Sequence, residues 1–218
     1  MADAGVSAGD LVVDIGAGSG MLTAPLLAVG ARVTAIEPDR RLAARLRRGC
    51  PAAQVIEADA LLMPWPSEPF RVVANLPFAR AAELCRSLFS DPATPLVSAD
   101  LVVEWDFAAK RARLWPSTAQ TVLWSAWYEL AVVRRIDPRA FAPVPSVAAA
   151  VFRARRRLRP LIPPEQARRY ESFVRRGFRD GNRARERDPH AWAILFAGQE
   201  SSASVRTVRG MNRSRKAQ

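Results

Sequence analysis

Apolar and polar positions along this chain follow two periods. Leu11-Val12-Val13-Asp14-Ile15 is an apolar run broken by one acid, the pattern of a buried parallel strand. It runs into Gly16-Ala17-Gly18-Ser19-Gly20, and Met21 to Leu27 then reads as a helix. Arg32 to Glu37, Gln54 to Ala60 and Phe70 to Asn75 repeat the short apolar run, each reaching a polar residue near its carboxyl end. Between them, Arg40 to Arg48 sets Leu42, Ala43 and Leu46 at helical spacing, with its arginines on a solvated face. Met63-Pro64-Trp65-Pro66 is a stiffened loop. Past a fifth strand, Trp124 to Ile136 alternates like a strand, and Ser146 to Phe152 reads as its hairpin partner. Pro160 to Pro164 marks a boundary. Beyond it, Glu165 to Phe178 places Ala167, Tyr170, Val174 and Phe178 on one helical stripe, and Ala191 to Phe196 reads as a last helix. Strands alternating with helices predict an α/β fold on a mainly parallel sheet.

Charge divides the chain differently. Residues 1–152 hold 15 of the 33 Lys and Arg and 15 of the 21 Asp and Glu, so they are neutral. Residues 153–218 hold the other 18 basic residues against 6 acids, and so carry the whole net charge of +12. Only Lys110 and Lys216 are lysines. Arginine grips phosphate with a two-pronged fork and stacks on bases, so a polyanion partner is expected. The run Arg153, Arg155, Arg156, Arg157 is read as a phosphate-tracking strip, and 201–218 as a mobile basic tail. Cys50 and Cys85 stand in no metal-ligand spacing, and His190 is the single histidine, so no metal site is expected. No apolar run spans a bilayer and no secretory signal opens the chain, so a cytoplasmic protein is expected. Trp115, Trp124 and Trp127 are assigned to buried packing.

Candidate chemistry sits at the strand ends. Gly16, Gly18 and Gly20 form a turn that a ligand can approach closely, with the following helix N-terminus offering free N–H groups. Glu37, at the tip of the second strand, is where a βαβ nucleotide site places the acceptor for ribose hydroxyls. Asp59 ends the third. The glycine spacing differs from the dinucleotide fingerprint, since Met21 stands where the third glycine would be. It fits the smaller S-adenosylmethionine better. Asn75-Leu76-Pro77-Phe78 ends the fourth strand. An adenine N6 amine is a poor nucleophile because its lone pair is delocalised into the ring. Fixed acceptors on its hydrogens favour the tetrahedral geometry in which charge develops. Asn75 offers a side-chain oxygen, the Asn75 or Leu76 carbonyl a second acceptor, Pro77 a fixed backbone, and Phe78 a stacking surface.

These segments, in this order, resemble the rRNA adenine N6-methyltransferases: Asp14-x-Gly16-x-Gly18-x-Gly20, Glu37-Pro38-Asp39, Glu57-Ala58-Asp59-Ala60-Leu61 and Asn75-Leu76-Pro77-Phe78. That family includes the erythromycin-resistance (Erm) enzymes of 23S rRNA and the 16S rRNA dimethyladenosine transferases. The likeness continues through Leu101 to Trp105, Ala108 to Arg111, Phe141 to Val147 and Phe173 to Phe178, and covers most of 11–179. The Asn-Leu-Pro-Phe form, the Phe141-x-Pro143-x-Pro145 segment and the arginine-rich style are closer to the actinobacterial Erm branch. The resemblance implies a Rossmann-like S-adenosylmethionine-dependent methyltransferase sheet with a small C-terminal helical domain. It implies domains at 1–152 (catalytic), 153–200 (basic, helical, RNA-binding) and the tail. In that family pattern Asp14 heads the cofactor motif, Gly16, Gly18 and Gly20 line the methionine end, Glu37 holds the ribose, and Asn75 also touches the cofactor. Asp59 and the Ala60 backbone read the cofactor adenine. Asn75 and Leu76 accept from the target amine, Phe78 stacks on it, and Phe141 is a candidate second aromatic wall.

The expected activity is N6-methylation of an adenine in 23S rRNA, of the macrolide-lincosamide-streptogramin resistance type. The expected partner is rRNA free of ribosomal proteins or at a pre-assembly stage, and the expected state a monomer. Alternatives are 16S rRNA dimethylation, a non-catalytic rRNA-binding or ribosome-assembly protein on the same fold, DNA adenine methylation and a dehydrogenase. Family members usually carry some tens of residues before the glycine strand, including a Gln-x-Phe segment over the cofactor. Here that strand begins at Leu11, so either the start lies upstream or that cover is missing. The segment between Arg179 and His190 is shorter than usual for the family.

Overall fold

The computed structural model describes residues 4–141, 144–181 and 186–199. Its elements in order are β1 (Leu11–Ile15), α1 (Thr23–Ala28), β2 (Arg32–Ile36), α2 (Arg40–Gly49), β3 (Gln54–Ile56), β4 (Phe70–Asn75), α3 (Ala81–Phe89) and β5 (Leu96–Glu104). Then follow α4 (Trp105–Arg111), α5 (Ala119–Ser125), β6 (Tyr128–Ile136), β7 (Ala149–Arg156), α6 (Ala167–Arg179) and α7 over 189–199. The chain forms two compact units, 1–112 with 128–158, and 113–127 with 159–218.

The first unit is a seven-stranded sheet in the order β3-β2-β1-β4-β5-β7-β6. The strands from β3 to β5 are parallel, and β7 lies antiparallel between β5 and β6. The crossover helices bury one face: Leu26 of α1 packs with Val12, Val33 and Val73, and Leu46 of α2 with Ala35 and Cys50. α2 starts where the Asp39 carboxylate accepts from the Arg41 and Leu42 N–H groups at 2.8 and 3.0 Å, a strong N-cap. On the other face Phe107 of α4 meets Phe152 edge-on, with ring centres 6.3 Å apart. Both cysteines are buried free thiols, and burial pushes the Cys85 thiol up to about 12.

The second unit is helical and rich in aromatic contacts. Trp127 and Phe196 both meet Tyr170 of α6 edge-on, and Phe178 stacks on Trp192 of α7 at 5.5 Å. Gly177 makes that contact possible, because a Cβ there would lie 2.5 Å from the Trp192 ring. Tyr170 and Val174 are buried, while Arg168, Arg169, Arg175, Arg176 and Arg179 stand exposed on the same helix.

The sheet hairpin and the α6 helix agree with the sequence pattern, and three other readings change. Trp124 lies in a helix, not a strand: residues 121–128 are all buried, so no polar face marks the helical period. Trp124 and Trp127 are buried as expected, but Trp115 is 60% exposed. The boundary placed after residue 152 falls inside β7, which continues to Arg156. Phe152 and Ala154 are buried there, so Arg153-Ala154-Arg155 is strand alternation rather than a linker. The segment 113–127 also joins the helical unit. The basic tail 201–218 and the motif residues Ala142 and Pro143 lie outside the described residues.

Candidate active site

The carboxyl ends of β1 to β4 surround a cavity of about 290 Å³, the place where open parallel sheets bind ligands. Gly16 and Gly18 form one wall, Glu37 and Pro38 a second, Asp59 and Ala60 a third, and Pro77 and Arg80 a fourth. The glycine turn hangs from β2, with the Gly16 and Ala17 N–H groups both donating to the Ile36 carbonyl at 2.8 and 3.2 Å. Gly16 adopts φ +68°, and a Cβ there would find nothing closer than the Asn75 carbonyl oxygen and Pro77 Cδ, both at 3.9 Å. The turn therefore stands directly beside the Asn75–Pro77 segment, with open space between. Gly20 is a different case. At φ +92°, its Cβ would meet Leu46 at 2.8 Å and Cys50 at 3.1 Å. Gly20 lets α2 pack against the turn and is not among the residues that line this cavity.

Glu37 is buried and fixed from both sides. Its Oε2 accepts from the Gly18 N–H at 2.8 Å and its Oε1 from the Asp39 N–H at 2.9 Å. A carboxylate has about four acceptor sites, so two remain for a diol. Asp59 caps the short turn Ala60–Leu62, its Oδ1 accepting from the Leu61 N–H at 3.0 Å. Its Oδ2 takes Arg80 Nη1 at 2.7 Å, and that hydrogen bond holds the Asp59 carboxyl below its ordinary value. Arg80 has no place in the sequence reading. The signal available was a single cation directly after the apolar run Leu76-Pro77-Phe78-Ala79.

Asp14 is hydrogen-bonded to α1 and is not among the residues that line the cavity. Its Oδ2 accepts from the Thr23 hydroxyl at 2.7 Å, and its buried Oδ1 has no hydrogen-bond partner among the described residues. Burial raises its carboxyl to about 6. Asp14 thus ties α1 to β1 beneath the turn and is not a cavity residue. At the end of β4, Asn75 is exposed, Leu76 is buried with its N–H on the Val102 carbonyl at 3.1 Å, and Phe78 is half-buried.

Residues 2–185 match the ribosomal RNA adenine dimethylase family. The chain belongs to this family. Similar members include an rRNA adenine N-6-methyltransferase of Corynebacterium diphtheriae, 34% identical over 75% of this chain and 64% of that one. The mycinamicin-resistance protein MyrB of Micromonospora griseorubida is 34% identical over 75% of this chain and 52% of its own length. The chain thus spans about half to two thirds of these curated relatives. The crystal structure of the 23S rRNA methyltransferase ErmE superposes with a TM-score of 0.74 at 31% identity, over 89% of this chain and 79% of that one. The dimethylase-family fold is therefore the Rossmann-like methyltransferase sheet that the sequence predicts.

The arginines expected to track RNA are mostly engaged within this family member's own sheet. Arg153 lies 2.6 Å from the buried carboxylate of Asp100, its neighbour across the β5–β7 ladder. Arg156 donates to the carbonyls of Leu96, Pro92 and Thr94 and to the Tyr128 hydroxyl. Arg157 reaches Glu129 at 3.4 Å. Arg153 is engaged in the middle of the ladder, Arg156 with the loop before β5 and Arg157 just past the end of β7, and Arg155 is the exposed member of the run. Phe141 closes the turn Pro138–Ala140, half-buried, and is not part of the cavity lining. Among the described residues no helix is long and apolar enough to cross a membrane, and no three His, Cys, Asp or Glu cluster as metal ligands.

Proposed function

We propose that this chain is the catalytic part of an S-adenosylmethionine-dependent methyltransferase that modifies an adenine N6 in 23S rRNA. The resistance to macrolides, lincosamides and streptogramins associated with that modification follows from the same reading. One observation carries it. A Cβ built on Gly16, in the turn where a cofactor's amino-acid end would lie, would stand 3.9 Å from the Asn75 carbonyl oxygen and from Pro77 Cδ. Pro77 lines the cavity, and the target-amine acceptors Asn75 and Leu76 adjoin it in the chain. The lining suits the cofactor: an open glycine turn, a fixed carboxylate for the ribose at Glu37, and Asp59 with Ala60 for the adenine. Bound S-adenosylmethionine supplies an electrophilic methyl group.

The chain's own residues do the rest. The Asn75 side-chain oxygen accepts one hydrogen of the target amine, and the Asn75 or Leu76 carbonyl the other. These acceptors stabilise the positive charge that grows on the nitrogen as it attacks. Leu76 is buried and its N–H is held by Val102, so the segment cannot swing away. Phe78 offers a stacking surface for a base that has left its own stack, which favours a looped or single-stranded target. Arg155 and the exposed arginines of α6 supply cations for the phosphates, so affinity falls steeply with salt. The reading takes the protein as a monomer on protein-free or pre-assembly rRNA.

The test is label transfer from S-adenosylmethionine to protein-free 23S and 16S rRNA, by wild type and Asn75→Ala. Label in 23S rRNA as N6-methyladenine, lost in the variant, is the expected result. Label in 16S rRNA keeps the chemistry and overturns the 23S assignment. RNA binding without label overturns catalysis and leaves an RNA-binding protein on this fold.

A further inference from the structure

Both oxygens of Asp59 are engaged, and one of the two donors was unforeseen. Oδ1 is fixed by the Leu61 N–H at 3.0 Å, and Oδ2 by Arg80 Nη1 at 2.7 Å. Arg80 is the last residue of the turn Phe78–Arg80, whose closing hydrogen bond runs from the Arg80 N–H to the Pro77 carbonyl at 2.9 Å. Its other guanidinium nitrogen, Nη2, lies 3.6 Å from Glu83. The arginine side chain is 43% exposed and the aspartate 31%, so the pair adds little to folding stability. It does fix direction. One donor comes from the turn that Asp59 caps and the other from Arg80, and Asp59 and Arg80 both line the cavity. A carboxylate with two of its roughly four acceptor sites taken still has sites for an amine.

We propose that Arg80 is a positioning residue that holds the Asp59 carboxylate aimed at the exocyclic amine of the cofactor adenine. The inference rests on reading Asp59 as the adenine acceptor. A mere competitor for Asp59 would act with the opposite sign, since removing it would free the carboxylate and tighten binding.

The experiment is calorimetric binding of the full chain to two ligands, S-adenosylhomocysteine and its 6-oxo counterpart S-inosylhomocysteine, which lacks the exocyclic amine. Wild type should prefer the amine, and Asp59→Asn should erase or invert that preference. If wild type shows no preference, absence of binding included, or if Asp59→Asn retains it, the adenine reading and this inference both fall. If those controls hold, Arg80→Ala should weaken S-adenosylhomocysteine about tenfold, the order of one charge-assisted hydrogen bond, and leave the 6-oxo ligand within about twofold. Arg80→Lys should recover part of the loss, and Arg80→Ala added to Asp59→Asn should change nothing further. Equal loss for both ligands, or tighter binding of S-adenosylhomocysteine by Arg80→Ala, overturns the role of Arg80 and leaves Asp59 as assigned. Unchanged melting temperatures for the exposed Arg80 variants show that binding, not folding, is being read.

Discussion

At the carboxyl ends of β2 and β3, Glu37 and Asp59 each take one N–H of the turn beside them and one donor from further off, the Gly18 N–H and Arg80, and both line the cavity. Along β7, Arg153 and Arg156 are held by Asp100 on β5 and by the carbonyls of 92–96, and Arg153 lines, with its partner Asp100, a separate cavity of about 150 Å³. The two regions look equally functional as charged residues in a sequence. They differ in how much of each group its partners use. A carboxylate holding two donors keeps about two acceptor sites free for a ligand. A guanidinium that neutralises a buried acid has its chemistry consumed by the fold. Charge near a strand end is therefore a better sign of function than charge in a run.

The comparison is open to attack at four points. Arg153→Ala should destabilise most, by about 3–5 kcal/mol in chemical denaturation, because Asp100 would be left 6% exposed and unpaired. Replacing the pair together, as Arg153→Met with Asp100→Leu, should recover most of that loss. Asn75→Ala should lower methyl transfer by about 10²–10³-fold with no shift in melting temperature, since Asn75 is exposed and its acceptor works only on the growing charge.

Asp14 gives a pH test. Its carboxyl titrates near 6 when folded against an ordinary 3.8, so the folded state binds the proton more tightly. Stability from this group is complete below pH 3.8 and declines as pH rises through about 6. Asp14→Asn keeps an acceptor for Thr23 and should be more stable than wild type at pH 8, by up to about 3 kcal/mol, with the gain shrinking toward pH 4. Equal stabilities across that range would mean the buried carboxylate carries no cost. Smallest is Arg155→Ala. It should change stability by no more than about 0.5 kcal/mol, weaken RNA binding a few-fold, and reduce the salt slope by about 1.

What the sequence made legible follows the same division. The glycine turn, Glu37, Asp59 and the Asn75–Phe78 segment stand out in the sequence because each sits where an apolar run ends, and ligands gather at strand ends in parallel sheets. Arg153 was misread because its partner Asp100 lies 53 positions away, and a line of arginines looks alike in a linker and in a strand. Arg80 escaped because its partner is 21 positions back, across the cavity. Trp124 reads as a strand residue in the sequence because a helix buried on every side loses the polar stripe that gives its period. The glycine at position 20 was legible as a glycine but not as a packing residue, since Leu46 and Cys50 reach it only once α2 has docked.

The position of β7 has a consequence for synthesis. Among the described residues the last strand to be made is an interior strand, and it is the one that β6 pairs with. While residues 149–156 remain unmade, both β5 and β6 present bare hydrogen-bonding edges, with Leu101, Val103 and Tyr128 uncovered by their eventual neighbours. A nascent chain must shield those edges until its final strand slides between them. A chain halted before Arg156 is left with two sticky strands, and its fate is aggregation rather than a smaller folded domain.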